Sequence, residues 1–173
     1  MQKVALIGNP NCGKTTIFNL LTGANQKVGN WPGVTVEKKI GFFKISGKEA
    51  ELVDLPGIYS LEQEYRGIDE GIALDYLNSG HIDLIINIID ATNLERSLVL
   101  TQQLLEKSIP VLIALNMMDV AEQQGVSVSA EKLADRLEIP VVPITASKNL
   151  GITELSSTIH TIGLSHGATT SEL

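Results

Sequence analysis

Residues Gly8-Asn9-Pro10-Asn11-Cys12-Gly13-Lys14-Thr15 place two glycines, a lysine and a hydroxyl at the spacing G-x-x-x-x-G-K-[ST]. Each residue type has a task in gripping a polyphosphate. The glycines let backbone N–H groups close around phosphate oxygens, the Lys14 ammonium reaches the β- and γ-phosphates, and the Thr15 hydroxyl ligates Mg²⁺. Thr16 then opens a helical run. The lone alternative is a tight strand-to-helix turn of no function, and the context argues against it. A buried-strand pattern, Lys3 to Ile7, precedes the loop, and apolar residues at helical spacing follow it to Leu21.

Further sets follow in order: Gly33-Val34-Thr35-Val36, Asp54-Leu55-Pro56-Gly57, Asn116-Met117-Met118-Asp119 and Thr145-Ala146-Ser147. Asp54 closes a strand and can hold Mg²⁺ through water, while the Gly57 N–H can face a γ-phosphate. Thr35 offers a loop hydroxyl to complete the Mg²⁺ shell when that phosphate is present. Asp119 can accept from N1–H and the exocyclic amine of guanine, a pair that adenine lacks. Such a match discriminates strongly, because the wrong base leaves buried polar groups unpaired. Ala146 N–H is expected to donate to guanine O6. Each set alone is weak, but all in this order at strand ends predict a GTP/GDP-binding domain. Lys14, Thr35 and Gly57 are the residues expected to act on the reacting phosphate.

The elements that must carry these sets alternate strand and helix, which implies an α/β fold: a six-stranded, mostly parallel sheet with one antiparallel strand and helices on both faces. Strands are expected at Val4–Gly8, Lys38–Ile45, Ala50–Asp54, Leu84–Asp90, Pro110–Asn116 and Pro140–Ile144. Ser46-Gly47-Lys48 reads as a hairpin turn. Helices are expected at Lys14–Leu21, Gly67–Asn78, Asn93–Lys107, Ser129–Leu137 (with Ser129 as N-cap) and Ile152–Ile162. Thr22 to Val36 and Pro56 to Arg66 read as long loops, which in a compact domain are often functional. Residues 163–173 read as a tail or linker.

A chain of 173 residues suffices for one domain, and 43% hydrophobic with 19% charged residues is ordinary globular composition. The net charge of −7 argues against nucleic acid as a partner. No run reaches the ~20 apolar residues that span a bilayer, so this segment by itself is expected to be soluble. No signal peptide is read before the first strand. One cysteine, Cys12, excludes an internal disulfide and fits a reducing compartment.

With these residues assembled, the sequence resembles the TRAFAC-class small GTP-binding proteins, with a Ras-like P-loop GTPase fold. Val28-Gly-Asn-Trp-Pro-Gly-Val-Thr-Val-Glu37, Gly8-Asn-Pro-Asn11, Asp54-Leu-Pro-Gly-Ile-Tyr-Ser60 and Asp90-Ala-Thr-Asn-Leu-Glu-Arg96 are similar to the N-terminal cytosolic G domain of the FeoB family of prokaryotic ferrous iron transporters. The resemblance covers residues 1–162. It implies that helical and membrane domains follow in a longer polypeptide, that the whole sits with this domain at the cytoplasmic face of the cell membrane, and that Fe²⁺ uptake is the output. It also implies K⁺ activation, with Asn11 holding the ion against the phosphates and backbone around Gly29 to Trp31 completing the site. Asn11 thereby joins the catalytic set; its plainer reading is a side-chain cap on the loop. The switches would be Thr22–Glu37 and Pro56–Asp75, and other copies could associate through them.

Two departures carry mechanism. Met117 stands where N-K-x-D has lysine, so it supplies an apolar stem without an ammonium. Ile58 stands where Ras-like proteins carry a water-orienting glutamine, so hydrolysis is expected to be slow. A ribosome- or tRNA-linked GTPase and a non-catalytic GDP/GTP sensor are the competing readings. The acidic residues Glu62, Glu64, Asp69, Glu70 and Asp75 read as a solvated face, His81, His160 and His166 as isolated, and Arg66 as without a supporting spacing. Met117 and Met118 read as packing residues. Trp31 could pack on a base, on a neighbouring module or over the nucleotide edge, and the sequence does not choose.

Overall fold

The segment Leu-Ile-Ile-Asn-Ile-Ile-Asp at 84–90 is apolar at nearly every position, the mark of a strand buried on both faces of a parallel sheet. In the computed structural model it is the central strand β5 (Leu84–Asp90), and six of its seven residues are buried. The structure describes residues 1–62 and 67–170, the side chains of 164–170 excepted. Glu64 and Arg66 lie outside the described residues, as does the side chain of His166.

Around β5 the sheet is ordered β2-β3-β4-β1-β5-β6-β7. The other strands are β1 (Gln2–Gly8), β2 (Gln26–Asn30), β3 (Glu37–Ile45), β4 (Lys48–Asp54), β6 (Val111–Asn116) and β7 (Val141–Pro143). The sheet thus has seven strands where the sequence predicts six. The addition, β2, lies inside the stretch read as a loop. It is an edge strand with four of five residues exposed, so no apolar alternation marks it, and its antiparallel pairing to β3 defines it. Because β3 also runs antiparallel to β4, β3 is the single reversed strand, as expected. Ser46 and Gly47 both have positive φ, which builds the predicted hairpin turn.

The helices are α1 (Lys14–Thr22), α2 (Ile68–Leu77), α3 (Leu94–Leu105), α4 (Met118–Gln123), α5 (Ala130–Leu137) and α6 (Ile152–Thr170). Ser129 caps α5 by accepting from the Lys132 N–H at 3.2 Å. Helix α4 was not legible, being too short to show a period, and α6 continues past residue 162 to Thr170. The period-2 alternation of the strands sorts the core. Leu84, Ile86 and Ile88 join Ile17 and Phe18 of α1 and Leu155 and Ile159 of α6. Ile85 packs on the other face with Ala73 and Leu77 of α2 and Leu100 and Leu104 of α3. A third cluster, including Ile89, Leu115 and Ala121, seats α4.

Candidate functional site

Parallel strands end together, and their C-terminal ends gather the predicted residues. Leu6 pairs with Asp54, Gly8 with Ile88, and Asp90 with Asn116. One sheet edge therefore carries the start of the phosphate loop, the Asp54 carboxylate and the Asn116 carboxamide.

The loop itself is built by backbone constraints. Asn11 and Gly13 adopt positive φ, at 63° and 91°. A Cβ on Gly13 would meet the Asn116 Nδ2 at 2.2 Å, and one on Gly8 would lie 2.7 Å from the Ile88 carbonyl. Only glycine fits at either place. Helix α1 then begins with no side-chain cap, so its first N–H groups face the loop without side-chain partners. Lys14 and Asp54 form an ion pair across the loop, each side chain about one-seventh exposed. Thr15, Thr16 and Asn11 are exposed, and neither the Thr15 hydroxyl nor the Asn11 carboxamide has a hydrogen-bond partner among the described residues. The side-chain cap that would explain Asn11 without a ligand is thus missing. Asn9, by contrast, is buried, its Oδ1 without a hydrogen-bond partner among the described residues. Burial pushes the Cys12 thiol up to about 11, against the opposing pull of the Lys14 ammonium. That raises the cost of the thiolate, the form in which a cysteine reacts.

The segment after Asp54 is tied to the phosphate loop. Leu55 N–H donates to the Leu6 carbonyl and Ile58 N–H to the Gly8 carbonyl, both at 3.0 Å. A Cβ on Gly57 would sit 3.0 Å from the Pro10 Cα, so the two loops touch at that glycine, with Pro56 half-buried beside it. Ile58 is 1% exposed and points its side chain into the core, where it cannot address water.

At the other end, Asn116 fastens the loops together. Its Nδ2 donates to the Cys12 carbonyl at 2.9 Å, and its Oδ1 accepts from the Ala146 N–H at 3.0 Å. Ala146 N–H, expected to donate to guanine O6, is thus already engaged, and a base there would have to share it. Thr145 is buried and exchanges two backbone hydrogen bonds with Leu150, while Ser147 is exposed. Met117 takes φ 63° at the start of α4, and Met118 packs into the third cluster. Asp119 is half-buried in the first turn of α4, its Oδ2 3.4 Å from the Lys148 Nζ. Lys148 was missed by sequence reasoning, although it directly follows Thr145-Ala-Ser147. It brings an ammonium to the carboxylate from a different loop than the one where Met117 replaces lysine.

Gly33, Val34, Thr35 and Val36 sit in a closed turn. Trp31 N–H donates to the Val36 carbonyl at 2.9 Å, and Val34 N–H to the Trp31 carbonyl at 3.3 Å. Thr35 is exposed, with no side-chain partner among the described residues. Trp31 takes none of the three positions weighed from the sequence: it packs inward, 7% exposed, in the cluster with Leu55, Ile58 and Ala73. Two other residues went unread. Gln103 of α3 accepts from Leu61 N–H at 2.6 Å and donates to the Ser60 hydroxyl at 2.8 Å. Asn87 holds Thr101 of α3 at 2.6 Å beneath the loop.

The donors suit hard cations. Thr15, Thr35 and Asp54 supply hydroxyl and carboxylate oxygens, the kind that Mg²⁺ takes alongside phosphate and water. Asn11 supplies a free amide oxygen. Among the described residues no cluster of three or more His, Cys, Asp and Glu stands ready for a transition metal. His81 is exposed, and His160 accepts from the Ser46 N–H through Nδ1 at 3.0 Å. Glu62, Asp69 and Asp75 are exposed, while Glu70 turns back to accept from the Gly67 N–H at 3.0 Å.

Comparison with known proteins gives the same architecture. The family model for ferrous iron transport protein B matches residues 2–159. The Fe(2+) transporter FeoB of Legionella pneumophila (strain Paris) is 55% identical over 161 residues, which is 92% of this chain and 21% of the relative. The chain thus spans about a fifth of the length of that transporter. The solved cytosolic domain of L. pneumophila FeoB is 54% identical with a TM-score of 0.87, covering 91% of this chain and 68% of its own. An S. thermophilus NFeoB variant bound to GDP is 51% identical with a TM-score of 0.85, covering 92% and 62%. The cytosolic domain of T. maritima FeoB in its GMPPNP form is 47% identical at 0.85, again covering 92% and 62%.

Proposed function

Since the chain belongs to the ferrous iron transport protein B (FeoB) family, we propose that it is the domain that binds GTP with Mg²⁺ and hydrolyses it slowly to report to the rest of a longer transporter. The observation that carries this reading is the Asn116 carboxamide, which binds the phosphate loop at Cys12 and the base loop at Ala146 at once. A ligand matched to both loops has a phosphate tail at one end and a purine edge at the other. Solved relatives holding GDP and GMPPNP support the same ligand class here.

In this reading Lys14 leaves Asp54 for the β- and γ-phosphates, and the uncapped N–H groups of α1 close on the phosphate oxygens. Thr15, Thr35 and the Asp54 carboxylate would hold Mg²⁺ when it is bound. Asn11 offers its carboxamide oxygen to K⁺. These cations, when bound, neutralise charge that develops on the transferring phosphoryl group. Gly57 N–H faces the γ-phosphate, and Asp119 reads guanine. Water is positioned by loop backbone, since Ile58 cannot do so. Movement of the switches would pass to the helical and membrane domains at the cytoplasmic face, with Fe²⁺ as the cargo.

The test is phosphate release from GTP in KCl and NaCl at matched ionic strength, with ATP as control. Faster release in KCl, with GTP only, is expected. The buried Ile58 gives one other reading its footing: a GDP/GTP sensor with negligible turnover. Equal, barely measurable release in both salts, alongside tight GTP binding, would favour the sensor.

A further inference from the structure

Trp31 sits at the exact boundary between strand β2 and the turn that carries Thr35. Its backbone is bonded to Val34 and Val36, so residues 31–36 form one closed unit in which Thr35 cannot travel far without Trp31. The indole is seated against the second switch and the helix behind it. It meets the Tyr76 ring of α2 edge to face, with centroids 5.7 Å apart and planes at 74°, and it shares a cluster with Ile58 and Leu61. The Lys38 ammonium lies 4.6 Å above its ring.

Two details mark this seat as one of a pair of positions. The indole Nε1 is buried with no hydrogen-bond partner among the described residues, a donor that an evolved permanent core position normally satisfies. And while the indole is seated, the Thr35 hydroxyl stays exposed and unbonded among the described residues. Large apolar burial holds the indole in, while the unpaired N–H weakens the hold. That balance suits an element with two arrangements of similar free energy.

We propose that Trp31 is a positioning residue, a latch that holds the Thr35 turn down on α2, and that drawing Thr35 to the metal and γ-phosphate releases it. The release would hand the state of the first switch directly to Tyr76 and α2. This rests on the nucleotide-binding reading above.

The chain has a single tryptophan, so its indole emission reports this residue alone. Emission wavelength and acrylamide quenching are read for the nucleotide-free, GDP·Mg²⁺ and GMPPNP·Mg²⁺ forms, with binding of each nucleotide followed separately by calorimetry. Buried-type emission is expected in the first two forms, and red-shifted, more quenchable emission in the third. Tyr76→Ala keeps the reporter and removes its ring partner; it should raise affinity for GMPPNP relative to GDP by about fivefold. Identical emission in all three forms, with both nucleotides bound by calorimetry, overturns the latch and leaves the proposed function standing. So does an unchanged affinity ratio in Tyr76→Ala. Absence of calorimetric binding overturns the proposed function and the latch with it.

Discussion

Cys12 shows how a residue inside a reactive-looking loop is kept quiet. It is 2% exposed, packs in the core cluster with Ile17 and Ile88, and lends its carbonyl to Asn116. Burial is the largest influence on its thiol and pushes it from 9.0 to about 11. The neutral form is therefore the one that folding favours. The associated stability is fully present below about pH 9 and is lost as pH rises towards about 11. We expect the folded chain to react only slowly with a thiol reagent at pH 8, and its urea midpoint to fall between those limits by more than that of Cys12→Ala. A wild-type midpoint that tracks the variant through this range would refute the assignment. At the same scale, most of the candidate site was legible: Gly13, Lys14, Asp54 and Asn116 are singled out by chemistry that few other residue types can do. Lys148 was not legible, because its partner Asp119 is set by how two loops fold together rather than by spacing along the chain.

The elements differ in legibility for a physical reason. Strands β1, β5 and β6 are buried on both faces and read directly as apolar runs, whereas β2 is an exposed edge held by backbone pairing and carries no such signal. Helix α4, six residues long and entered through a left-handed Met117, shows no periodic face. Helix α3 illustrates a role that periodicity conceals. One side carries Leu100 and Leu104 into the core, while Gln103 clasps the Ser60 hydroxyl and the Leu61 N–H, and the Arg96 guanidinium stacks 3.9 Å from the Tyr59 ring centroid. The segment after Asp54 thus leans on α3 as well as on the phosphate loop. Gln103→Ala removes two hydrogen bonds at a part-buried site, a loss of about 1–2 kcal/mol in local opening. Hydrogen exchange at the Leu61 amide should therefore accelerate about tenfold, since 1.4 kcal/mol corresponds to that factor. GDP affinity should hold within about twofold, because Gln103 touches neither loop that grips the ligand. Unchanged exchange at Leu61 would show that the clasp does not restrain the switch.

For the whole molecule, the site is a seam: Asp54 at the end of β4, Gly8 at the end of β1 and Asn116 at the end of β6 are brought to one edge only by the complete sheet. A mostly parallel sheet with these residues at its strand ends was expected from the alternation of strands and helices, and the solved cytosolic domain of L. pneumophila FeoB matches the fold at a TM-score of 0.87. The proposed ligand site is therefore assembled in the folded chain and dispersed in the unfolded one. A ligand that binds only the folded form stabilises it by mass action, by about 2.7 kcal/mol at a hundredfold excess over its Kd. A domain of this size shifts its midpoint by roughly 2–4 °C per kcal/mol. GDP with Mg²⁺ at that excess should therefore raise Tm by about 5–10 °C in scanning calorimetry, while ATP at the same concentration should leave it in place. The Lys14–Asp54 ion pair sharpens the expectation, because phosphate must compete with the carboxylate for the lysine. Asp54→Ala frees that ammonium to meet phosphate while removing a Mg²⁺ partner. Its Tm without ligand should fall, and its gain with GDP should depend less on Mg²⁺ than the wild type's. A Mg²⁺ dependence equal to wild type would place the metal elsewhere than on Asp54.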